Sequence, residues 1–227
     1  MKLNTNSNIY TFVYMTVVVI IVAVLLALAN QSLKPRQEAN ILLDKQKQIL
    51  GALKIDYSTS DPADIYMALV NDTLRYGEQE VYVANLNGAT KYILPLSGKG
   101  LWGGIGGYLA LDEDKNTIYG VNFNHESETP GLGAKIVEPE FRSQFEGKHI
   151  RNAEGAVVSV AVLKAGKHAE GQEQVDAISG ATITSSGVST MLEVNLEEYK
   201  EFLNEGNGDA SLNGENDENV EPVKEED

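Results

Sequence analysis

Five hydroxyl-bearing residues crowd one short stretch, Ser179, Thr182, Thr184, Ser185 and Ser186, with Gly180 and Ala181 among them. The stretch opens at Asp176 and closes where an apolar helical pattern begins at Val188, continuing through Met191, Leu192 and Leu196. The start of a helix presents backbone N–H groups without carbonyl partners and the positive end of the helix dipole, a combination that favours a phosphate. Gly180 and Ala181 carry so little side chain that an anion can approach the backbone closely. Side-chain capping is the plainer use of Ser and Thr at such a place, and it accounts for one or two hydroxyls but not for the whole run. The residues leave both uses open, a cap or a phosphate cradle.

Two further stretches concentrate chemistry. Residues 99–107 set Leu101 and the one tryptophan, Trp102, among five glycines. A large aromatic surface on backbone free to adopt unusual conformations suits a planar ligand, or equally a loop whose ring fills the core. A Walker-type phosphate loop is excluded, because no Gly-Lys-Ser/Thr ending is present. Residues 125–133 run His125-Glu126-Ser127-Glu128-Thr129-Pro130-Gly131-Leu132-Gly133, where Pro-Gly specifies a tight turn whose amides are able to grip the edge of a ring. His125 and Glu128 lack a second histidine at useful spacing, so no metal site is expected. No serine, histidine and acid arrangement supports a hydrolase, and no side chain is expected to act as a catalyst.

Composition narrows the classes. With no cysteine, disulfides, thiolate metal sites, iron–sulfur clusters and cysteine nucleophiles are excluded, so redox chemistry has to come from a bound cofactor. The formal net charge of −15, from 18 basic and 33 acidic side chains, argues against nucleic acid as a partner. Residues 204–227 hold nine acids and one lysine, a balance of −8 that leaves −7 for the rest. That tail carries almost no large apolar side chain and is expected to be disordered.

The elements that must position these stretches follow from hydrophobic pattern and turn chemistry. Residues 9–29 are uncharged and long enough to span a bilayer as a helix. A cleaved signal peptide is the rival, given Ala27-Leu28-Ala29, although the apolar run exceeds the roughly 7 to 15 residues usual for one. Lys2 before the run and Lys34 and Arg36 after it nearly balance, so charge leaves the orientation open. An amphipathic helix is predicted from Pro35 to Leu53, weakened at its end by Gly51, and a second from Asp61-Pro62 through Ile65, Leu69 and Leu74. Asn87-Gly88 joins predicted strands 81–86 and 90–96, and a polar turn at 112–116 joins 107–111 and 117–124. A short helix at 139–145, a strand at 156–163 and a last helix from Thr184 or Ser186 to Phe202 complete an α+β domain. The expected organisation is an N-terminal segment 1–8, a transmembrane helix 9–29, a helical juxtamembrane region 30–79, a ligand-binding domain 80–203 and the tail 204–227.

The three stretches, in this order after one N-terminal span, resemble the FMN-binding family, and within it the C subunits of sodium-translocating NADH:quinone oxidoreductases. The resemblance is carried by Gly-Leu-Trp-Gly at 100–103, Glu-Thr-Pro-Gly-Leu-Gly at 128–133, Phe-Arg-Ser-Gln-Phe-Glu-Gly-Lys at 141–148 and Ser-Gly-Ala-Thr at 179–182. The G subunit of Rnf-type ferredoxin:NAD oxidoreductases shares part of this pattern, without the Leu-Trp pair, and stands as the alternative. A membrane-tethered module that holds FMN without passing electrons is a third reading.

The resemblance implies FMN bound covalently through a phosphoester to Thr182 and installed by a separate flavin transferase. Ser179, Gly180, Ala181 and Asp176 would form the surrounding motif. Leu101, Trp102, Glu128, Thr129, Gly131 and Leu132 would lie around the ring. It further implies an inner-membrane, single-pass subunit with a periplasmic domain. That subunit would relay electrons from NADH toward ubiquinone or another quinone inside a six-subunit sodium-pumping complex.

Overall fold

The computed structural model describes residues 8–164 and 166–205, so nearly all of the acidic tail and the first seven residues lie outside the described region. The chain divides into two compact units, with the boundary between Lys47 and Gln48. The first is helical. Helix α1, Asn8–Ala52, is long and apolar enough to cross a membrane, and its side chains at 11–28 are exposed. The separate helix expected to open at Pro35 is instead a continuation of α1, with Pro35 inside it. Proline there forfeits one donor at a cost of about 3 kcal/mol. Good helix formers on both sides, Ala27 to Ala29 before it and Arg36 to Ala39 after it, carry the helix across.

In the second unit, α2 spans Pro62–Leu69 and five strands follow: β1 Val70–Tyr76, β2 Gln79–Leu86, β3 Ala89–Lys99, β4 Gly104–Leu111 and β5 Ile118–His125. They form one antiparallel sheet in sequence order. After a short 3-10 turn at Gly133–Val137 come α3, Pro139–Arg142, and a two-stranded parallel pair, β6 Ala161–Val162 with β7 Gln174–Val175. Helices α4, Thr182–Glu198, and α5, Lys200–Asn204, close the fold.

Local chemistry accounts for most of these elements. Asp61 caps α2 by accepting the Ala63 N–H at 2.9 Å, with Pro62 in the first turn. Asn87 and Gly88 take φ of 54° and 87°, the left-handed pair that a two-residue hairpin turn requires. Asp114 ties the next turn by accepting from the amides of Asn116 and Thr117 and from the Thr117 hydroxyl.

The alternation of side chains gives the sheet two apolar faces. Leu94, Leu96, Ile105, Leu109, Val121 and Phe123 pack in the larger cluster with Val188, Met191, Leu192 and Leu196 of α4 and with Phe202 of α5. Tyr82, Ala84, Ile93 and Ala110 pack with Ile49, Ala52 and Leu53 at the end of α1. Backbone closes this end, Ile55 N–H returning to Leu50 O at 2.9 Å and Lys54 N–H to Gly51 O at 3.1 Å, and the Asn122 side-chain amide donates to Gln48 O at 3.2 Å. Lys54 holds φ 58° where glycine is usual, a Schellman ending built on lysine. Gly51, expected to weaken the helix, is a packing position, since a Cβ there would lie 3.0 Å from the Asn122 side chain. On the strand side, a Cβ on Gly120 would lie 2.5 Å from Ala52 O, so the helix end rests directly on β5.

Three expectations need correction. The second helix stops at Leu69, not Leu74: the five-residue step from Leu69 to Leu74 is off the helical period, and 70–76 pair with β2 across Gly77. The sheet therefore begins within the region expected to be helical as far as residue 79. The strand expected at 156–163 shrinks to β6, because Ser159 takes φ 70° and the amides of Val158 and Ser159 both turn to Ile150 O.

Candidate functional site

Helix α4 starts at Thr182, two residues before the expected Thr184 and four before Ser186. Its cap position is Ala181, which has no side chain to offer the helix. The first internal bond is Ser185 N–H to Ala181 O at 2.9 Å, so the amides of Thr182, Ile183 and Thr184 have no acceptor within the helix. Gly180, at φ 77°, turns the chain into this start, and Ser185 Oγ holds the turn by accepting the Ile178 N–H at 3.2 Å. The hydroxyls of the run are thereby sorted. Thr184 and Ser185 are buried, whereas Ser179, Thr182 and Ser186 are exposed.

The buried Thr184 hydroxyl donates to Glu128 Oε2 at 2.6 Å, and Glu128 is only 4% exposed. Its other oxygen accepts the Trp102 N–H at 2.9 Å, and the Leu101 amide adds a further bond. Burial alone would push this carboxyl up. The bonds from Thr184, Trp102 and Leu101, with the nearby His125, outweigh burial and hold it below the ordinary glutamate value. Gly133 and Gly100 flank the carboxylate so closely that a Cβ on either would enter it. Three segments distant in sequence thus meet on one side chain.

Around this junction the chain forms a cleft of about 220 Å³ lined by Leu101, Glu128, Thr129, Leu132 and the turn 180–184. Its lining is apolar and open, with Leu101 45% exposed, Leu132 42% and Ile183 59%, and beside Leu101 the Trp102 side chain is 66% exposed. Trp102 therefore does not fill the core, one of the two uses its loop allowed. The Pro-Gly turn forms with Gly131 at φ 75°, but the amides of Leu132 and Ala134 are both spent on Thr129 O at 3.1 Å rather than offered outward.

Most of the residues singled out from sequence come together here: Leu101, Trp102, Glu128, Thr129, Leu132, Gly180, Ala181 and Thr182, with Gly131 at the tip of the turn. Trp102 and Gly131 stand beside the lining residues rather than among them, and Ser179 and Asp176 lie farther off. Ser179 lines a neighbouring hollow with Lys135, Glu138 and Gln144. Asp176 accepts the Ala169 N–H at 2.6 Å and faces His168 at 3.3 Å, while its own amide donates to Gln144. The Ala169 amide and then His168 keep its carboxyl below the ordinary aspartate value. It braces the loop that leads to α4. Ile183 was not foreseen from sequence, and Thr184 was singled out only as one hydroxyl of the run, although the periodicity that buries Val188 and Ser185 also turns it inward.

Residues 100–197 match the FMN-binding domain family. The chain is 28% identical over 207 residues to the C subunit of the Na(+)-translocating NADH-quinone reductase of Vibrio alginolyticus, covering 72% of this chain and 80% of that one. With the corresponding C subunit of Pseudomonas aeruginosa it shares 29% over 239 residues, covering 83% and 91%. Among solved structures, the C subunit of the same reductase from Parabacteroides distasonis superposes with a TM-score of 0.70 at 41% identity, covering 75% of this chain and 96% of that one.

Proposed function

The chain belongs to the family of C subunits of Na(+)-translocating NADH-quinone reductases, and on that premise we propose that it is a membrane-anchored flavoprotein subunit holding FMN as a phosphoester on Thr182. The observation that carries this reading is the exposed Thr182 hydroxyl beside three helix-start amides that no side chain caps. Such amides suit a phosphate, and the exposed Leu101, Trp102 and Leu132 offer an apolar seat for a flat ring, so the residues present fit FMN.

In attachment, the Thr182 oxygen would bond to the flavin-side phosphorus of FAD as the pyrophosphate bond breaks, with AMP leaving and the hydroxyl proton passing to solvent or to the base of a separate flavin transferase. When bound, the flavin supplies electron transfer between the complex's other redox groups. The residues of this chain would bind and orient it: the free amides at the start of α4 would hold a phosphate, and the exposed Leu101, Trp102 and Leu132 would offer a ring apolar surface. Thr182 is a tether, and no side chain acts as an acid or base in the redox step.

Helix α1 would anchor the protein through residues 9–29, with the N-terminus cytoplasmic and the FMN-binding domain periplasmic, in a six-subunit inner-membrane complex that couples quinone reduction by NADH to sodium export. Thr182→Ala removes covalent flavin fluorescence from the denatured polypeptide when the transferase is present, while the stability of the unloaded chain stays within about 0.5 kcal/mol of wild type. A fluorescent Thr182→Ala band would defeat the assignment. The intact mass of the wild-type chain, raised by one esterified FMN mapped to the peptide holding Thr182, would support it.

A further inference from the structure

Glu128 is an acid at the centre of a site whose proposed chemistry uses no acid, and it is buried. Its two oxygens are divided between two walls of the cleft, Oε1 taking the Trp102 amide at 2.9 Å and Oε2 the Thr184 hydroxyl at 2.6 Å. The Leu101 amide adds a third donor from the same wall as Trp102. Gly100 and Gly133 leave room for the carboxylate and for nothing larger than hydrogen. By contrast Glu126, two residues earlier, is exposed, and its carboxylate accepts the Gly104 N–H at 2.9 Å while its own N–H donates to Gly104 O at 3.0 Å.

We propose that Glu128 is a positioning residue that fixes the spacing between the Leu101–Trp102 wall and the first turn of α4, and so sets how a group tethered at Thr182 lies against the apolar rim. The role assigned to rim and tether rests on the flavin reading above. The spacing itself does not. Leu101 and Trp102 belong to the exposed link between β3 and β4, where the other backbone tie is Gly100 N–H to Gly103 O at 2.9 Å, within the loop itself. Thr184, on the opposite wall, is fixed by α4. The carboxylate is the crosspiece between them, and an ionised acceptor forms stronger bonds to such donors than a neutral one.

The test has two parts. Amide exchange is measured first on the full chain in detergent, in a Thr182→Ala background that carries no covalent flavin. Adding Glu128→Ala is expected to speed exchange at Leu101 and Trp102 by roughly tenfold or more, as for loss of charge-assisted hydrogen bonds. Amides of Leu109 and Val121 in the sheet should keep their protection. Glu128→Gln, which can give an oxygen to Trp102 and its NH2 to Thr184 Oγ, should restore part of the protection, and Glu126→Gln should leave it unchanged. If Glu128→Ala does not fold, Thr184→Val removes one arm of the crosspiece and should loosen the Leu101 and Trp102 amides while those of Leu109 and Val121 keep their protection.

The flavin-loaded chain is measured second. Glu128→Ala or Thr184→Val should shift the flavin midpoint potential and its visible absorption band, and Glu126→Gln should shift neither. Unchanged exchange at Leu101 and Trp102 in a folded Glu128→Ala chain overturns the proposal. So does a released loop with an unmoved potential. Absence of covalent flavin on the wild-type chain would instead sink the flavin reading, leaving the exchange result to stand or fall alone.

Discussion

Two helix ends meet the same sheet from opposite faces, and they are finished in opposite ways. The C-terminus of α1 is closed: its last carbonyls are taken up by Lys54 and Ile55, its side chains Ile49, Ala52 and Leu53 are fully buried, and Gly120 brings β5 against its backbone. The N-terminus of α4 is open, with alanine where a capping side chain belongs, three amides without a helical acceptor, and Thr182 and Ile183 exposed. Capping a helix start is worth about 1 kcal/mol, and a sequence as rich in Ser and Thr as 182–186 had the means to do it. The contrast teaches that the fold completes one helix end from its own groups and leaves the other uncapped.

Breaking the closed end should have the largest effect. Gly120→Val drives a side chain into Ala52 O and is expected to cost about 2–3 kcal/mol in urea unfolding, with no preference for flavin-loaded or unloaded chain. A loss below about 0.5 kcal/mol, the range of an ordinary surface change, would mean that the α1 end gives way easily and is not closed in the sense argued.

An intermediate effect is expected where the open end is moored. Glu128 should contribute about 1–2 kcal/mol at neutral pH relative to Glu128→Gln. Because its folded pKa lies below its unfolded one, this contribution is complete above the ordinary glutamate pKa of 4.5 and drains away as pH falls from there through the folded value. Unfolding curves of the two chains should therefore converge in acid. A gap that widens as the pH falls below 4.5 would reverse the sign and the assignment.

The smallest and most discriminating effect is expected from Ala181→Ser, which supplies the missing cap. It should stabilise the unloaded chain by about 1 kcal/mol and the flavin-loaded chain by much less, since a phosphate would already occupy the amides. Equal stabilisation of both forms would remove the distinction between the two ends.

The closed and open ends also differ in how far they could be read in the sequence. Asp61-Pro62, Asn87-Gly88 and the tight turn at Pro130-Gly131 are local signals, and each acts within a few residues of itself. The three stretches of the site were likewise visible as composition. What the sequence concealed is long-range. Nothing local in Glu128 announces that it will be buried between Trp102 and Thr184, 26 and 56 residues away. Nor does Lys54 look like a left-handed helix ending, a role taken because Ile55 must turn back toward the sheet cluster it joins. Pro35 misled in the other direction, its local cost being absorbed by a long helix. Asp176 lies in the motif by sequence, yet its carboxylate is spent on Ala169 and His168.

Trp102 gives the molecule an optical property. It is the only tryptophan in 227 residues, and it stands 66% exposed next to Leu101 of the cleft lining, its amide on Glu128. All indole emission from the chain therefore originates at one edge of the site, with none from the sheet or either helix end to dilute it. Flavins absorb where indole emits, so occupancy of the cleft should dim this signal through energy transfer, and a stopped-flow trace at a single wavelength would follow loading in real time without any label.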